Sequence, residues 1–327
     1  MEQRIIGRTG RRVSVIGLGT WQLGADWGQV EEKDALALLD TAVEEGVTFF
    51  DTADVYGDGR SEQLIGAYLR ERPDADVVVA TKMGRRAALD PAHYTLDNFR
   101  AWTDRSRANL GTDRLDLVQL HCPPTPVYSS DAVFDALDTL VEEGRIAAYG
   151  VSVESCEEAL TAIARPGTAS VQIIFNVFRL KPLERVLPAA AEAGVGIIAR
   201  VPLASGLLSG AYTKDTVFAA DDHRTYNRHG ESFDQGETFS GVDFATGVEA
   251  AVEFSALAPE GATPAQTALR WIIQQPGVTT VIPGARSPEQ ARANAAAAAL
   301  APLPEATLRA VREIYDGRIR AQVHHRW

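Results

Sequence analysis

The chain has 327 residues, 45% of them apolar, so it is long enough to bury one large hydrophobic core. Its 32 Lys and Arg against 44 Asp and Glu give a formal charge of −12, which argues against nucleic acid or an anionic membrane as a general partner. Cys122 and Cys156 are too few for a disulfide framework, and no long apolar run suggests a signal peptide or membrane span, so a cytoplasmic location is expected.

The first predicted element is a β-hairpin. Residues Arg4 to Ile16 alternate around a turn-rich centre at 8–11. Residues Val15 to Trp21 then predict the first strand of a main sheet with its exit loop, whose glycines would let the backbone approach a ligand. This Gly-x-Gly is a weak dinucleotide motif, because it lacks the third glycine before a helix.

Three further apolar runs predict buried strands that end in polar residues of catalytic type. These residues are Asp51 after the run 47–50, Lys82 after 77–80 and His121 after 115–120. In a barrel of parallel strands wrapped by helices, the C-terminal strand ends open on one face. We therefore expect these side chains to converge there with Tyr56, which follows Asp51 in the chain.

This set of residues predicts a proton donor. An ammonium group beside a phenol favours the phenolate, so we expect Lys82 to lower the pKa of Tyr56, the predicted acid. Asp51 would pair with Lys82 so that the ammonium can stay buried, and His121 would share a hydrogen bond with the substrate oxygen or with Tyr56. Each residue alone is more often structural than catalytic, so the prediction depends on all four together.

The segments that carry these residues resemble a known family. Phe-Phe-Asp-Thr-Ala-Asp-Val-Tyr-Gly at 49–57, Thr81-Lys82 and Leu120-His121 are similar to the signature segments of the aldo-keto reductases. The resemblance covers nearly the whole chain. It implies hydride transfer between NADP(H) and an aldehyde, a ketone or the corresponding alcohol, and a hairpin that closes the barrel floor. It also implies a catalytic tetrad, formed by Asp51, Tyr56, Lys82 and His121.

Helical and strand patterns alternate through the rest of the chain. Helices are predicted over 32–45, 61–69, 96–110, 133–143, 156–164 and 183–193, with strands between them. Ser61 is the predicted cap of the second helix. About eight strand–helix units favour a TIM (β/α)8 barrel over an open doubly wound sheet. We predict a single domain over 1–327, with a C-terminal helix and tail over 305–327.

The resemblance assigns residues to the nicotinamide end of the cofactor. It places Gly19, Thr20 and Trp21 beside the ring, and it gives Ser152 and Gln172 the carboxamide, although Val153 stands where the family usually has Asn. At Arg200 many relatives have an aromatic ring against the nicotinamide. Its planar guanidinium could stack there or pair with a carboxylate.

Two later segments are candidates for the phosphate groups. Hydroxyls and glycines at 202–210 suit hydrogen bonds to a pyrophosphate, although a surface loop is the alternative. The candidates there are Pro202, Leu203, Ser205, Gly206, Leu208 and Gly210. Because the polar stretch 214–246 lacks periodicity, we interpret residues 203–246 as a long loop or lid over cofactor or substrate.

The last unit carries the strongest cofactor signal. Thr263 and Pro264 begin a helix through Gln274, a strand follows at 280–283, and Gly284 to Gln290 opens another helix. A helix N-terminus beside a guanidinium suits a phosphate, although a capped helix with surface arginines is the alternative. The resemblance implies that four residues hold the adenosine 2′-phosphate end and favour NADP(H) over NAD(H): Gly284, Arg286, Gln290 and Asn294.

The preferred function is an NADP(H)-dependent oxidoreductase of the carbonyl reductase or alcohol dehydrogenase type. An NADP(H)-binding regulatory or sensor subunit with little turnover is the main alternative, which the intact tetrad disfavours. A metal-dependent barrel hydrolase is disfavoured, because the six His include no ligand-spaced pair, and no metal site is predicted. The expected partner is a small carbonyl or alcohol substrate, and the sequence leaves its identity and the oligomeric state open.

Overall fold

The computed structural model describes residues 1–24 and 30–327 of the chain. In this part, an antiparallel hairpin of β1 (Gln3–Ile5) and β2 (Arg12–Ser14) precedes an eight-stranded parallel sheet. The strands of that sheet are β3 (Leu18–Gly19), β4 (Phe49–Asp51), β5 (Val78–Met83), β6 (Leu117–His121), β7 (Tyr149–Ser152), β8 (Thr168–Ile174), β9 (Gly196–Arg200) and β10 (Val278–Val281).

The eight strands are hydrogen-bonded in chain order from β3 to β10. Parallel bridges between Ile16 and Val281 and between Gly19 and Gly284 join the first strand to the last. The hairpin covers the N-terminal end of this ring, where the Arg4 guanidinium donates to the carbonyl oxygens of Ile273 and Val278 at 2.8 and 2.6 Å. The predicted TIM (β/α)8 barrel with an N-terminal hairpin is therefore confirmed.

Helices surround the sheet and follow its strands. They are α1 (Glu32–Glu44), α2 (Arg60–Glu71), α3 (Leu96–Leu110), α4 (Asp131–Glu142), α5 (Cys156–Ile163), α6 (Val186–Ala193), α7 (His223–Tyr226), α8 (Phe244–Ser255), α9 (Pro264–Gln274), α10 (Pro288–Ala296), α11 (Glu305–Ile314) and α12 (Arg320–Val323). A π-helical turn at Tyr315–Ile319 joins α11 to α12.

Capping side chains explain where several helices begin. Thr263 is the N-cap of α9, as predicted. Its hydroxyl accepts from the backbone N–H of Gln266, and the side-chain oxygen of Gln266 accepts from the backbone N–H of Thr263, which completes a capping box. Ser61 was wrongly predicted as a cap. It lies inside α2, and its hydroxyl donates to the Thr20 carbonyl at 3.1 Å, which ties α2 to the loop after β3.

The barrel interior is apolar at the floor and polar at the mouth. Side chains alternate along a strand, so Phe49 faces the interior, Phe50 packs outward against the helices, and Asp51 faces the interior again. The floor is a small cluster that joins strand residues to the hairpin: Ile6, Val13, Phe49, Val78, Ala80, Leu117, Ile198 and Ile282. The chemistry-bearing side chains are thereby confined to the C-terminal end of the sheet.

The segment predicted as a loop or lid at 203–246 is partly ordered into short helices. It contains 3-10 turns at Ala204–Ser209, Gln235–Glu237 and Phe239–Gly241 as well as α7. It ends earlier than predicted, because the Asp243 side chain accepts from the Thr246 amide and caps α8. We refer below to residues 211–243 as the cover segment.

Candidate active site

Three neighbouring strands and one turn bring the predicted tetrad to the barrel mouth. Asp51 ends β4, Lys82 is the penultimate residue of β5, and His121 ends β6. Tyr56 begins the 3-10 turn Tyr56–Gly59 that follows β4. Residue 57 of this turn is a glycine at φ 58°, where an added Cβ would lie 2.0 Å from the Gly24 carbonyl oxygen, so the turn has little room to shift.

Lys82 is the centre of the tetrad. Its Nζ donates to Asp51 Oδ1 at 2.5 Å, to the Thr52 carbonyl at 2.8 Å and to the Tyr56 hydroxyl at 3.3 Å. A buried ammonium group is tolerated only when oxygen acceptors replace its water, and these three oxygens do so. The structure thus brings Asp51, Tyr56 and Lys82 together around one nitrogen.

The pKa of Tyr56 is raised above its ordinary value, so the predicted direction was wrong. Burial is the largest cause, because it penalises the charged phenolate. Lys82 lowers the pKa of Tyr56 as expected, but the negative charge of Asp51 opposes that effect. Burial also works against the Lys82 ammonium, yet the pKa of Lys82 is raised because Asp51 and Tyr56 favour its charged form. At neutral pH the site therefore holds a protonated phenol beside an ammonium group.

His121 lies edge-on to Tyr56, with ring centroids 6.0 Å apart. Its Nδ1 has no hydrogen-bond partner in the described part of the chain. Burial, followed by the positive charges of Arg85, Lys82 and Arg200, holds the pKa of His121 well below its ordinary value. The imidazole is therefore neutral and can share a hydrogen bond with an oxygen that approaches Tyr56.

Two side-chain amides hold the other oxygen of Asp51. Gln172 Nε2 donates to Asp51 Oδ2 at 2.6 Å and Gln119 Nε2 donates to it at 3.2 Å. The Gln172 amide nitrogen also lies 3.5 Å from Gln119 Oε1. Sequence reasoning missed Gln119, although strand alternation places it on the same face of β6 as His121.

A cavity of about 460 Å³ opens beside the tetrad. Asp51 and Tyr56 line it, whereas Lys82 and His121 are not among its lining residues. Its wall also extends to the start of α10. Among the predicted cofactor residues, the structure brings these to the wall: Gly19, Thr20, Trp21, Gln172, Arg200, Pro202, Leu203, Ser205, Gly206, Gly284, Arg286 and Gln290.

Four predicted cofactor residues do not line this cavity. The Ser152 hydroxyl accepts from Cys122 Sγ at 3.4 Å, and Leu208 is fully buried in the core. Gly210 ends the turn Ala204–Ser209 in a left-handed conformation, and Asn294 Nδ2 donates to the Gly284 carbonyl at 3.2 Å. Gly210 and Asn294 therefore shape loops of the wall, and direct contacts of all four with a cofactor stay predictions.

The loop before α10 is held in place by its own side chains. The Arg286 amide donates to Gln290 Oε1 at 2.8 Å, and the Ser287 hydroxyl accepts from the Gln290 amide at 3.4 Å. These bonds place Arg286 at the positive end of the α10 dipole, in the cavity wall. An anion is the ligand that this end of the cavity suits best.

The cover segment forms one side of the cavity and supplies wall residues that the sequence did not predict. Tyr212, His223, Arg224 and Glu237 line it. The His223 ring centroid lies 5.4 Å from that of Trp21. No spacing pattern marked these residues, because their position depends on how the segment folds back over the barrel.

Buried charges surround Arg200 in the cavity wall. Arg200 Nη2 donates to Glu154 Oε2 at 2.8 Å, and its Nη1 lies 3.5 Å from Glu237 Oε1, so pairing with carboxylates is the arrangement observed. Arg85 also pairs with both glutamates, at 3.3 and 3.2 Å. Burial raises the pKa of Glu154 to about 7, whereas Arg200 and Arg85 overcome burial and lower the pKa of Glu237 to about 2.

Cys122 lies next to this cluster, but its thiol is not expected to be reactive. Burial is the main cause that raises the pKa of its thiol to about 12, so the thiolate is scarce at neutral pH. Ligand atoms of Cys122, Glu154 and Glu237 lie within 4.8 Å of one another. Since two arginines already neutralise these carboxylates, the cluster is a poor cation site.

In the described residues, no helix combines the length and the apolar character needed to cross a lipid bilayer.

Comparisons with known proteins agree with this geometry. Residues 15–316 match the model of the aldo/keto reductase family. The aldo-keto reductase YhdN of Bacillus subtilis is 32% identical over 303 residues, which cover 90% of this chain and 87% of YhdN. The glycerol dehydrogenase AKR11B4 from Gluconobacter oxydans superposes with a TM-score of 0.77 at 28% identity, covering 97% of this chain and 95% of that one.

A further solved structure is that of an aldo-keto reductase from Klebsiella pneumoniae in complex with NADPH. It superposes with a TM-score of 0.72 at 26% identity and covers 96% of each chain. A family model that spans most of the chain, together with relatives matched over nearly their whole length, leaves one assignment. The chain belongs to the aldo-keto reductase family of oxidoreductases.

Proposed function

We propose that this protein transfers a hydride between NADP(H) and an aldehyde or ketone, or the corresponding alcohol, with Tyr56 as the proton donor or acceptor. The observation that carries the proposal is the position of Lys82 Nζ, which contacts both Asp51 and the Tyr56 hydroxyl beside a cavity. The Klebsiella pneumoniae relative in complex with NADPH supports the choice of cofactor.

The side chains of this site suit protonation of a carbonyl oxygen. NADP(H), when bound, supplies or accepts the hydride. Tyr56 holds its proton at neutral pH, and donation of that proton leaves a phenolate that the adjacent Lys82 ammonium stabilises. Asp51 keeps Lys82 charged and in place. The neutral His121, next to Tyr56, orients the same oxygen through a hydrogen bond.

The cavity wall offers suitable groups for each part of NADP(H). Gln172 lines the cavity and its side-chain nitrogen contacts Asp51 and Gln119, which leaves Oε1 for a carboxamide NH₂. Ser205 and Gly206 line the cavity in a tight turn with successive left-handed backbones, at φ 54° and 96°, so the chain there can approach a pyrophosphate closely. Arg286 at the start of α10 suits the 2′-phosphate.

Replacement of Tyr56 by Phe tests the proposal. Because the change removes only the hydroxyl, we expect kcat/KM for reduction of a model aldehyde to fall by about 10²-fold to 10⁴-fold, while NADPH still binds. The decrease in nicotinamide absorbance measures turnover, and calorimetry compares the binding of NADPH and NADH. Tyr68→Phe is the matched control, since that hydroxyl contacts Asp40 of α1 and not the tetrad.

Three results would each contradict a part of the proposal. Unchanged turnover in the Tyr56→Phe variant would remove Tyr56 from the role of proton donor. NADPH binding without turnover of a broad panel of aldehydes and ketones would instead support a regulatory or sensor subunit. Equal affinity for NADPH and NADH would argue against a 2′-phosphate contact at Arg286.

A further inference from the structure

Gln119 is a fully buried amide inside the barrel, two residues before His121 on β6. Burial of an amide is unfavourable unless its polar atoms are hydrogen-bonded. In the part of the chain that the structure describes, the side chain of Gln119 contacts two polar partners, Asp51 Oδ2 at 3.2 Å and the Gln172 amide at 3.5 Å. An apolar residue of similar size would fill this position without a polar group, so packing alone does not account for an amide here.

The contact with Asp51 restricts how its carboxylate can turn. Oδ1 accepts from Lys82, while Oδ2 accepts from Gln119 and Gln172, so both oxygens are held from opposite sides. Loss of one amide donor would let the carboxylate rotate and draw Lys82 with it. The distance of 3.3 Å between Lys82 Nζ and the Tyr56 hydroxyl depends on that placement.

The contact with Gln172 decides which end of its side-chain amide faces the cavity. The nitrogen of Gln172 is held by Asp51 Oδ2 and approaches Gln119 Oε1. The carbonyl oxygen is therefore the polar atom of Gln172 that remains for a ligand in the cavity that this residue lines. An oxygen acceptor in that wall is the complement of a carboxamide NH₂ group.

We propose that Gln119 is a positioning residue of the reaction. It fixes Asp51 for Lys82 and Tyr56, and it fixes Gln172 for the nicotinamide carboxamide, so that one buried amide links the proton donor to the cofactor contact. This inference rests on the proposed function. It adds a residue that touches neither the cavity nor the reacting atoms and that acts through two side chains which line the cavity.

Replacement of Gln119 by Leu removes the amide and keeps the side-chain size. We expect kcat to fall about tenfold, as for loss of one hydrogen bond to a charged group, with the KM for the carbonyl substrate within about twofold of wild type. Calorimetry should show the Kd for NADPH raised about threefold to tenfold, because Gln172 loses its fixed orientation. If Gln119 were only structural, the variant would contain less folded, active protein. The folded molecules would then not show this combination of lower kcat, similar KM and weaker NADPH binding.

Gln274→Leu is the matched control. Gln274 bonds to the backbone of Leu303 through both ends of its amide, outside the barrel interior, so this variant loses stability without a change in kcat or NADPH affinity. If Gln119→Leu does not fold, Gln119→Met, which is unbranched, takes its place.

The outcomes separate the two proposals. A folded Gln119 variant with kcat and NADPH affinity within twofold of wild type would overturn the role of Gln119, provided that the wild type turns over. A wild-type protein that neither binds NADPH nor reduces a carbonyl would overturn the proposed function itself.

Discussion

Asp54 is a buried carboxyl group in the loop that carries Tyr56. The side chain is fully buried, and neither carboxyl oxygen has a hydrogen-bond partner in the described part of the chain. Burial is the main cause that raises its pKa to about 7, helped by the charge of Glu62 and opposed by Arg86, Arg105 and Lys82. The folded protein thus keeps a proton at this carboxyl that an unfolded chain would release near pH 4.

This shift predicts a pH dependence of stability. Between about pH 4 and pH 7 the folded state binds one proton more than the unfolded state, so the free energy of unfolding falls as pH rises through this window and levels off above it. The contribution is on the order of 4 kcal/mol across the window. The Asp54→Asn variant has no ionisable carboxyl group at this position, so its free energy of unfolding should not show this fall with pH.

Urea unfolding of both proteins at about pH 5 and about pH 8 measures the difference. We expect Asp54→Asn to gain stability relative to wild type at the higher pH, whereas Asp135→Asn, at an exposed position of α4, serves as the control. A stability difference between Asp54→Asn and wild type that does not change with pH would contradict the assignment.

Within the site, contacts between residues far apart in the chain could not be predicted from the sequence. Asp51, Lys82 and His121 were predictable because each ends an apolar strand, and parallel strand ends share one face of a barrel. Gln172 and Asp51 are 121 residues apart, and their contact depends on the order and register of strands in the closed sheet. The raised pKa of Tyr56 was missed because the sequence shows a neighbouring charge but not the depth of burial.

At the scale of elements, side-chain contacts tie the cover segment to the rest of the protein. Glu237 pairs with Arg85 and Arg200, both anchored in the barrel. Asp234 accepts from the Trp327 indole at 3.0 Å, and the guanidinium carbon of Arg179 lies 3.8 Å from the Trp327 ring centroid. Since the segment also lines the cavity, we expect these contacts to affect how readily a ligand enters or leaves.

Glu237→Gln tests this arrangement. Loss of the carboxylate leaves two buried arginines with a weaker partner, so the segment should open more readily and the Kd for NADPH should rise about tenfold. Calorimetry measures the Kd, and limited proteolysis measures cleavage within residues 211–243. The control is Glu231→Gln, an exposed position of the same segment. Unchanged affinity and unchanged cleavage in Glu237→Gln would mean that these ion pairs do not govern opening.

Element boundaries were predictable where caps and periodicity agreed. The helix predicted over 96–110 is observed as Leu96–Leu110, with Thr95 as its cap. In contrast, α8 was missed because it follows a long polar stretch without periodicity. A cap signal was present, since Asp243 accepts from the Thr246 amide three residues later.

For the whole molecule, the two ends of the barrel serve different purposes. The floor is an apolar cluster that includes Ile6 and Val13 of the hairpin, whereas the mouth contains the buried polar side chains Asp51 and Lys82. Changes at the floor should therefore alter stability and leave the chemistry intact. The hairpin turn allows a direct test, because it contains two glycines in similar conformations but different surroundings.

Gly7 and Gly10 both have left-handed backbones, with φ of 50° and 70°. A Cβ added at Gly7 would lie 1.8 Å from the Ala169 carbonyl oxygen and 2.6 Å from the Gly196 nitrogen, whereas one added at Gly10 would meet nothing within 4 Å. We expect Gly10→Ala to reduce the free energy of unfolding by about 1 kcal/mol, the backbone cost alone. Gly7→Ala should lose about 3 kcal/mol or more, because the hairpin must lift from β8 and β9.

Urea unfolding gives both values, and kcat measured well below the unfolding transition should match wild type in both variants, since the hairpin lies at the end of the barrel away from Tyr56. Equal losses of stability in the two variants would show that close contact between hairpin and barrel is not what stabilises the floor. A loss of kcat in folded Gly7→Ala would show instead that the floor and the mouth are coupled.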